Sequence, residues 1–167
     1  RYFEGNGTAY LVREMDQGTT LEHYLKQLNR PPSQQELDAI IGPVLDGLGV
    51  VHAAGYLHRD IKPQNIIIRP DGSPVLIDFG AARLEVTGRS RTLTSFYTPG
   101  YAAPEQYAEH GRLGPWTDLY ALGAVLYRAV TGIKPMESLS RMMMVDDPSP
   151  RAVDAAKGSY RADFLAG

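Results

Sequence analysis

The 167 residues contain no cysteine, which excludes disulfide staples, thiolate metal sites and thiol catalysis, and fits a reducing compartment. An excess of charge of either sign is also missing. Seventeen Lys and Arg stand against 19 Asp and Glu, for a formal net charge of -2, so a general electrostatic grip on nucleic acid or anionic membrane is not favoured. No apolar run approaches the roughly 18 residues of a membrane span, and residues 1–20 do not carry a signal-peptide pattern. Internal repeats and low-complexity tracts are absent too. What remains is ordinary: 43% hydrophobic and 22% charged residues describe a globular domain with room for one core. Composition therefore predicts a cytoplasmic globular domain, without nucleic acid and without a membrane span in this chain, and names no function.

Order along the chain says more. Residues 1–15 read as a hairpin, with Gly5-Asn6-Gly7 as its turn and Ala9–Val12 as a buried strand. Leu21, Tyr24, Leu25 and Leu28 keep helical spacing until Pro31-Pro32. Ser33-Gln34-Gln35-Glu36 is a capping box that opens a second helix, whose apolar positions run from Leu37 to Val51. Pro43 opposes it, since a helix-interior proline costs about 3 kcal/mol, and predicts a kink there. Ile66–Ile68 and Val75–Ile77 flank Pro70-Asp71-Gly72-Ser73-Pro74 as a second hairpin. Residues 81–100 are rich in Ser and Thr, as in a long exposed loop, and Thr117–Val130 is a strongly apolar helix closed by Thr131-Gly132. Met142–Met144 reads as helix packing.

The chemistry concentrates in one place. His58-Arg59-Asp60-Ile61-Lys62-Pro63-Gln64-Asn65 sets ionisable and polar groups into a loop between helix and strand, where rigid elements can hold them. Asp78-Phe79-Gly80 follows at the end of the second hairpin, which can fold Asp78 back beside Asp60 and Asn65. Two carboxylates and an amide oxygen form a hard-oxygen set suited to Mg²⁺, with water and phosphate oxygens as further ligands. Taken alone, Asp60 could be a turn residue and Asp78 a strand-end cap.

In order, these motifs resemble those of the protein kinase family, in its bacterial serine/threonine form. H-R-D-I-K-P-Q-N is similar to the catalytic loop and D-F-G to the metal-binding element. Thr98 to Glu105 resembles the segment ending in A-P-E, and Asp118 to Gly123 the start of the large buried helix. The resemblance implies an α+β protein-kinase-like fold and transfer of the ATP γ-phosphoryl group, with Mg²⁺, to a Ser or Thr hydroxyl of a protein substrate. It implies roles residue by residue. Asp60 accepts or orients the hydroxyl proton, and Lys62 neutralises the transferring phosphoryl. Asn65 and Asp78 hold metal, and Thr98 contacts Asp60 and Lys62. Ile67 lies under adenine, while the backbone of Glu14 and Asp16 meets its edge. Arg59 and Arg83 receive a phosphate on the loop, with Thr94 at the usual position. His58 holds the loop, Asp118 caps loop amides, Glu105 pairs with a distant Arg, and His23, His52 and His110 are surface or packing residues.

The same resemblance shows departures. No glycine-rich strand-turn-strand and no strand lysine precede the catalytic loop, and Arg13 falls at the gatekeeper position. The expected organisation is a small-lobe remnant over 1–15 and a mostly helical large lobe over 16–167, truncated before its last helices. A chain of that kind is expected to be inactive by itself and to self-associate through the exposed cleft face near Phe79. A catalytically inactive remnant, or pseudokinase-like binding module, is the alternative. A small-molecule phosphotransferase of the aminoglycoside-kinase type is disfavoured by Arg59 and by Ala103-Pro104-Glu105.

Overall fold

Capping residues set the helix limits. In the computed structural model the hydroxyl of Thr20 accepts the amide of His23 at 3.2 Å, opening α1 (Leu21–Leu28), which ends at Asn29 with φ 48°. At α2 (Gln34–Ala53) the capping box forms: Glu36 N donates to Ser33 Oγ, Ser33 N donates to Glu36 Oε2, and Arg30 grips both Glu36 oxygens at 2.8 and 2.9 Å. The described residues are 2–6, 8–11, 15–79, 83–84, 97–144, 151–156 and 159–161.

Pro43 lies inside α2, which is helical from end to end. Pro43 and glycines 42, 47 and 49 all lie on the exposed side, where water can satisfy the carbonyl that lost its partner. The opposite side, Leu37, Ile40, Ile41, Val44 and Leu48, is buried without a break. α3 (Pro115–Thr131) starts on a proline, ends before Gly132 at φ 72°, and buries Ala121, Leu122, Ala124 and Val125. These two helices, with Leu21, Ile61 and Ile66, make the main core. A second cluster joins Leu37 and Val130 to Ala156 of α5 (Ala152–Ala156) and to Tyr160, whose hydroxyl donates to Pro32 O at 2.6 Å. α4 (Ser138–Met143) departs from expectation: Met142 and Met143 are 70% and 87% exposed, so this run does not pack inward.

The strands are short. β1 (Tyr2–Gly5) and β2 (Thr8–Leu11) pair antiparallel about Asn6. The second strand thus begins at Thr8 rather than Ala9, and Val12 lies outside the described residues. β3 (Thr19–Thr20) pairs with β5 (Ile66–Ile68), which pairs with β6 (Pro74–Leu76); β4 (Tyr56–Leu57) pairs with β7 (Arg83–Leu84). Ile77, expected as the end of β6, falls just past it; its N–H still bonds Asn65 O in the register of the ladder, while its carbonyl accepts from His58. The architecture is α+β with helices predominating, and no helix among the described residues is long and apolar enough to cross a membrane.

The cap at α2 makes a pH-dependent prediction. Arg30 and the Ser33 amide hold the Glu36 carboxyl at about 2, below its ordinary 4.5. A carboxyl depressed in the folded state stabilises above its unfolded value and loses that contribution as pH falls through the folded one. Chemical denaturation should show Ser33→Ala less stable by about 1 kcal/mol. Glu36→Gln should be less stable at pH 7, with the gap to the wild type shrinking below about pH 4.5. A gap independent of pH would contradict the assignment.

Candidate active site

The loop of residues 58–65 has little regular structure of its own, so its shape comes from what holds it. Asp118, in the first turn of α3, is 0% exposed. Its Oδ2 accepts the amide of His58 at 2.9 Å and its Oδ1 the amide of Arg59 at 2.8 Å. His52 Nε2 lies 2.7 Å from the same Oδ2, tying the end of α2 to this point. From the other side, Gln106 Nε2 donates to Arg59 O at 2.8 Å while its Oε1 accepts the Ala103 amide. Arg59 is thereby held at φ 71°, in the left-handed region that a non-glycine residue enters at a cost.

Past Arg59 the chain presents Asp60. Its Oδ2 accepts from Lys62 Nζ at 2.6 Å and from Asn65 Nδ2 at 3.1 Å, and its Oδ1 accepts from the Thr98 hydroxyl at 2.7 Å. Lys62 also donates to Thr98 Oγ1 at 3.0 Å, closing a triangle. Asn65, 6% exposed, spends its second Nδ2 bond on the Asp60 carbonyl at 2.8 Å. The Asp60 carboxylate thus has its orientation fixed by three donors while keeping 14% side-chain exposure. A carboxylate aimed in this way, with an ammonium beside it, can accept a proton and stabilise nearby negative charge.

His58 connects this loop to Asp78. Its Nε2 lies 3.0 Å from Ile77 O, its Nδ1 accepts the Asp60 amide at 3.3 Å, and its ring meets Phe79 at 4.6 Å between centroids. Burial pushes the imidazole below its ordinary 6.5, against the Ile77 carbonyl and the charges of Asp118, Asp60 and Asp78. The carboxylates of Asp60 and Asp78 therefore act on the same buried ring. Asp78 itself is exposed and sits at φ 64°, a second left-handed residue.

The sequence-predicted residues Asp60, Lys62, Asn65 and Thr98 come together directly, and Asp78 reaches the group through His58 and Ile77. Ile67 sits at the centre of β5, opposite Val75 and Thr20. The Asp16 side chain bonds Arg69, at 3.1 Å to Nε and 2.6 Å to NH2. Arg13, Glu14, Thr94 and the side chain of Arg83 lie outside the described residues. The expectation for His52 needs correcting, because it is a partner of Asp118 rather than a surface or packing residue. Glu105 accepts from Thr117 Oγ1 at 2.7 Å, a partner the sequence reading missed along with the bridging role of Gln106. A His at the buried turn of an amphipathic helix was the available signal for His52.

Comparison with known proteins points to one family. The profile of the protein kinase domain matches residues 1–155. Serine/threonine-protein kinase PknL of Mycobacterium tuberculosis is 37% identical over 149 residues, which cover 86% of this chain and 37% of PknL. PknA of the same organism is 40% identical over 129 residues, covering 77% of this chain and 30% of PknA. The solved apo form of PpkA-294 superimposes with a TM-score of 0.80 at 36% identity, over 99% of this chain and 57% of that one. The chain spans between three and four tenths of the length of these curated relatives.

Asp118 is the residue whose loss should be felt most. Asp118→Ala leaves the His58 and Arg59 amides without their acceptor, and should lower unfolding free energy by about 2–5 kcal/mol, at about 1–3 kcal/mol for each donor left unpaired. His52→Ala, which removes one partner of three, should cost about 1 kcal/mol. Urea denaturation monitored by circular dichroism checks both. Equal effects would mean that Asp118 is not the common acceptor.

Proposed function

Since the chain belongs to the protein kinase domain family, we propose that the protein carrying it transfers the γ-phosphoryl group of ATP to a Ser or Thr hydroxyl of a protein substrate. The observation that carries this reading is the Asp60 carboxylate, oriented by Lys62, Asn65 and Thr98 yet still reachable. In the transfer, Asp60 orients the acceptor hydroxyl and takes its proton as the oxygen bonds to the γ-phosphorus. The bond between that phosphorus and the β–γ bridging oxygen breaks, and ADP leaves. Lys62, 2.6 Å from Asp60, balances the negative charge on the transferring group.

The donor set fits Mg²⁺. Asn65 commits its Nδ2 to Asp60 twice, which leaves its oxygen, Oδ1, for a cation, and the exposed Asp78 carboxylate supplies further hard oxygens. An ion held by so few protein oxygens would take water and phosphate oxygens as its remaining ligands. Bound there, Mg²⁺ supplies charge neutralisation across the nucleotide phosphates. Ile67 packs under adenine, and the backbone of Glu14 and Asp16 meets its edge. Arg59 and Arg83 receive a phosphate carried by Thr94, so that phosphorylation couples the loop to the site.

In the full-length protein, Asp60→Asn should lower kcat for phosphate transfer by roughly 10²- to 10⁴-fold, the size of a general-base contribution. The assay is transfer from radiolabelled ATP to a generic protein substrate. Undiminished turnover in this variant would remove Asp60 from the mechanism.

A further inference from the structure

The segment before α1 is fastened to β5 three times over. The β3 ladder is only Thr19↔Ile68 and Thr20↔Ile67, too short to fix a strand unaided. Gly18, at φ 152°, passes so close that a Cβ would stand 2.3 Å from Ile68 O and 2.7 Å from Ile67 Cγ2. Beyond it, Asp16 Oδ1 takes both Nε and NH2 of Arg69. Arg69 is itself anchored, because its N–H donates to Ser73 O and its carbonyl accepts from Gly72 N, both at 2.9 Å, across the β5–β6 turn. The ion pair therefore joins the rigid end of that hairpin to the start of the connecting segment.

From this arrangement we infer that Arg69 is a positioning residue for nucleotide: through Asp16 it sets the distance between the segment that meets the edge of adenine and the strand whose Ile67 lies beneath it. The inference rests on the kinase reading of the site. The ladder and Gly18 hold residues 18–20 against β5, but Asp16 lies past both, and its side chain is held there by Arg69. Losing the pair frees that end of the segment to move away from Ile67, widening the slot for a flat ring. The pair is partly exposed, 42% and 26%, and such pairs shift equilibria by factors below about ten, so the effect belongs to affinity rather than to folding.

The test uses the full-length protein and two probes, adenosine and ADP with Mg²⁺, measured by calorimetry. Adenosine carries no phosphate, so the charge of residue 69 cannot act on it directly. Arg69→Asp should weaken both probes by about three- to tenfold. It should also raise the KM for ATP while kcat at saturating ATP changes less than about twofold. The exchanged pair, Asp16→Arg with Arg69→Asp, should recover most of the lost affinity. Unchanged adenosine affinity in Arg69→Asp overturns the inference, as does a loss confined to ADP or a loss that the exchange fails to recover. A wild-type protein that binds neither probe removes the kinase reading, and this inference with it.

Discussion

Asp118 is buried at the start of α3, so its two oxygens must find protein donors, and the donors recorded are the amides of His58 and Arg59 and the ring of His52. This exchange works in both directions. Without those donors the buried carboxyl group would be costly; without the carboxyl group, Arg59 would lose the acceptor of its amide at φ 71°. A non-glycine residue in the left-handed region costs on the order of 1–3 kcal/mol. Hydrogen bonds to a charged group contribute about 1.5–3 kcal/mol each, so two of them at the strained residue and its neighbour are enough to offset it.

The backbone direction fixed at Arg59 determines where Asp60 points, and Asp60 is where two distant parts of the chain meet. Lys62 and Asn65 come from the same loop, while Thr98 comes from 38 residues away. Gln106 ties that later segment back to Arg59 O, and Ser138 Oγ holds it from α4 through Ala102 O at 2.9 Å. His58 does the same toward Asp78. An imidazole kept neutral by burial donates at Nε2 to Ile77 and accepts at Nδ1 from the Asp60 amide. A proton at Nδ1 would set two donors against each other, so the buried ring and the loop geometry depend on one tautomer.

Much of this was legible in the residues because it is encoded locally. The α2 capping box, the helical spacing of α1 and α3, and the turn around Asp71 depend on neighbours in sequence, and they formed as expected. The polar density of residues 58–65 also marked the loop, and the ordered motifs marked its family. What escaped were side-chain partners far apart in the chain: His52 with Asp118, 66 residues on, Asp16 with Arg69, 53 residues on, and Gln106 with Arg59. Periodicity reports that a position is buried, not which polar group it will meet. The two-residue β3 was likewise invisible, since so short a strand exists only because β5 runs beside it.

Asp118 organises the loop of residues 58–65 specifically, rather than merely filling the core. Native-state hydrogen exchange on the His58 and Arg59 amides, compared between wild type and Asp118→Asn, tests this directly. If Asp118 is their acceptor, both amides exchange in the wild type about as slowly as that of Leu48 in α2. In the variant they exchange through local opening at least about tenfold faster, the equivalent of roughly 1.4 kcal/mol, relative to Leu48. Amides of His58 and Arg59 that exchange rapidly in the wild type, or that track Leu48 in both proteins, would contradict it.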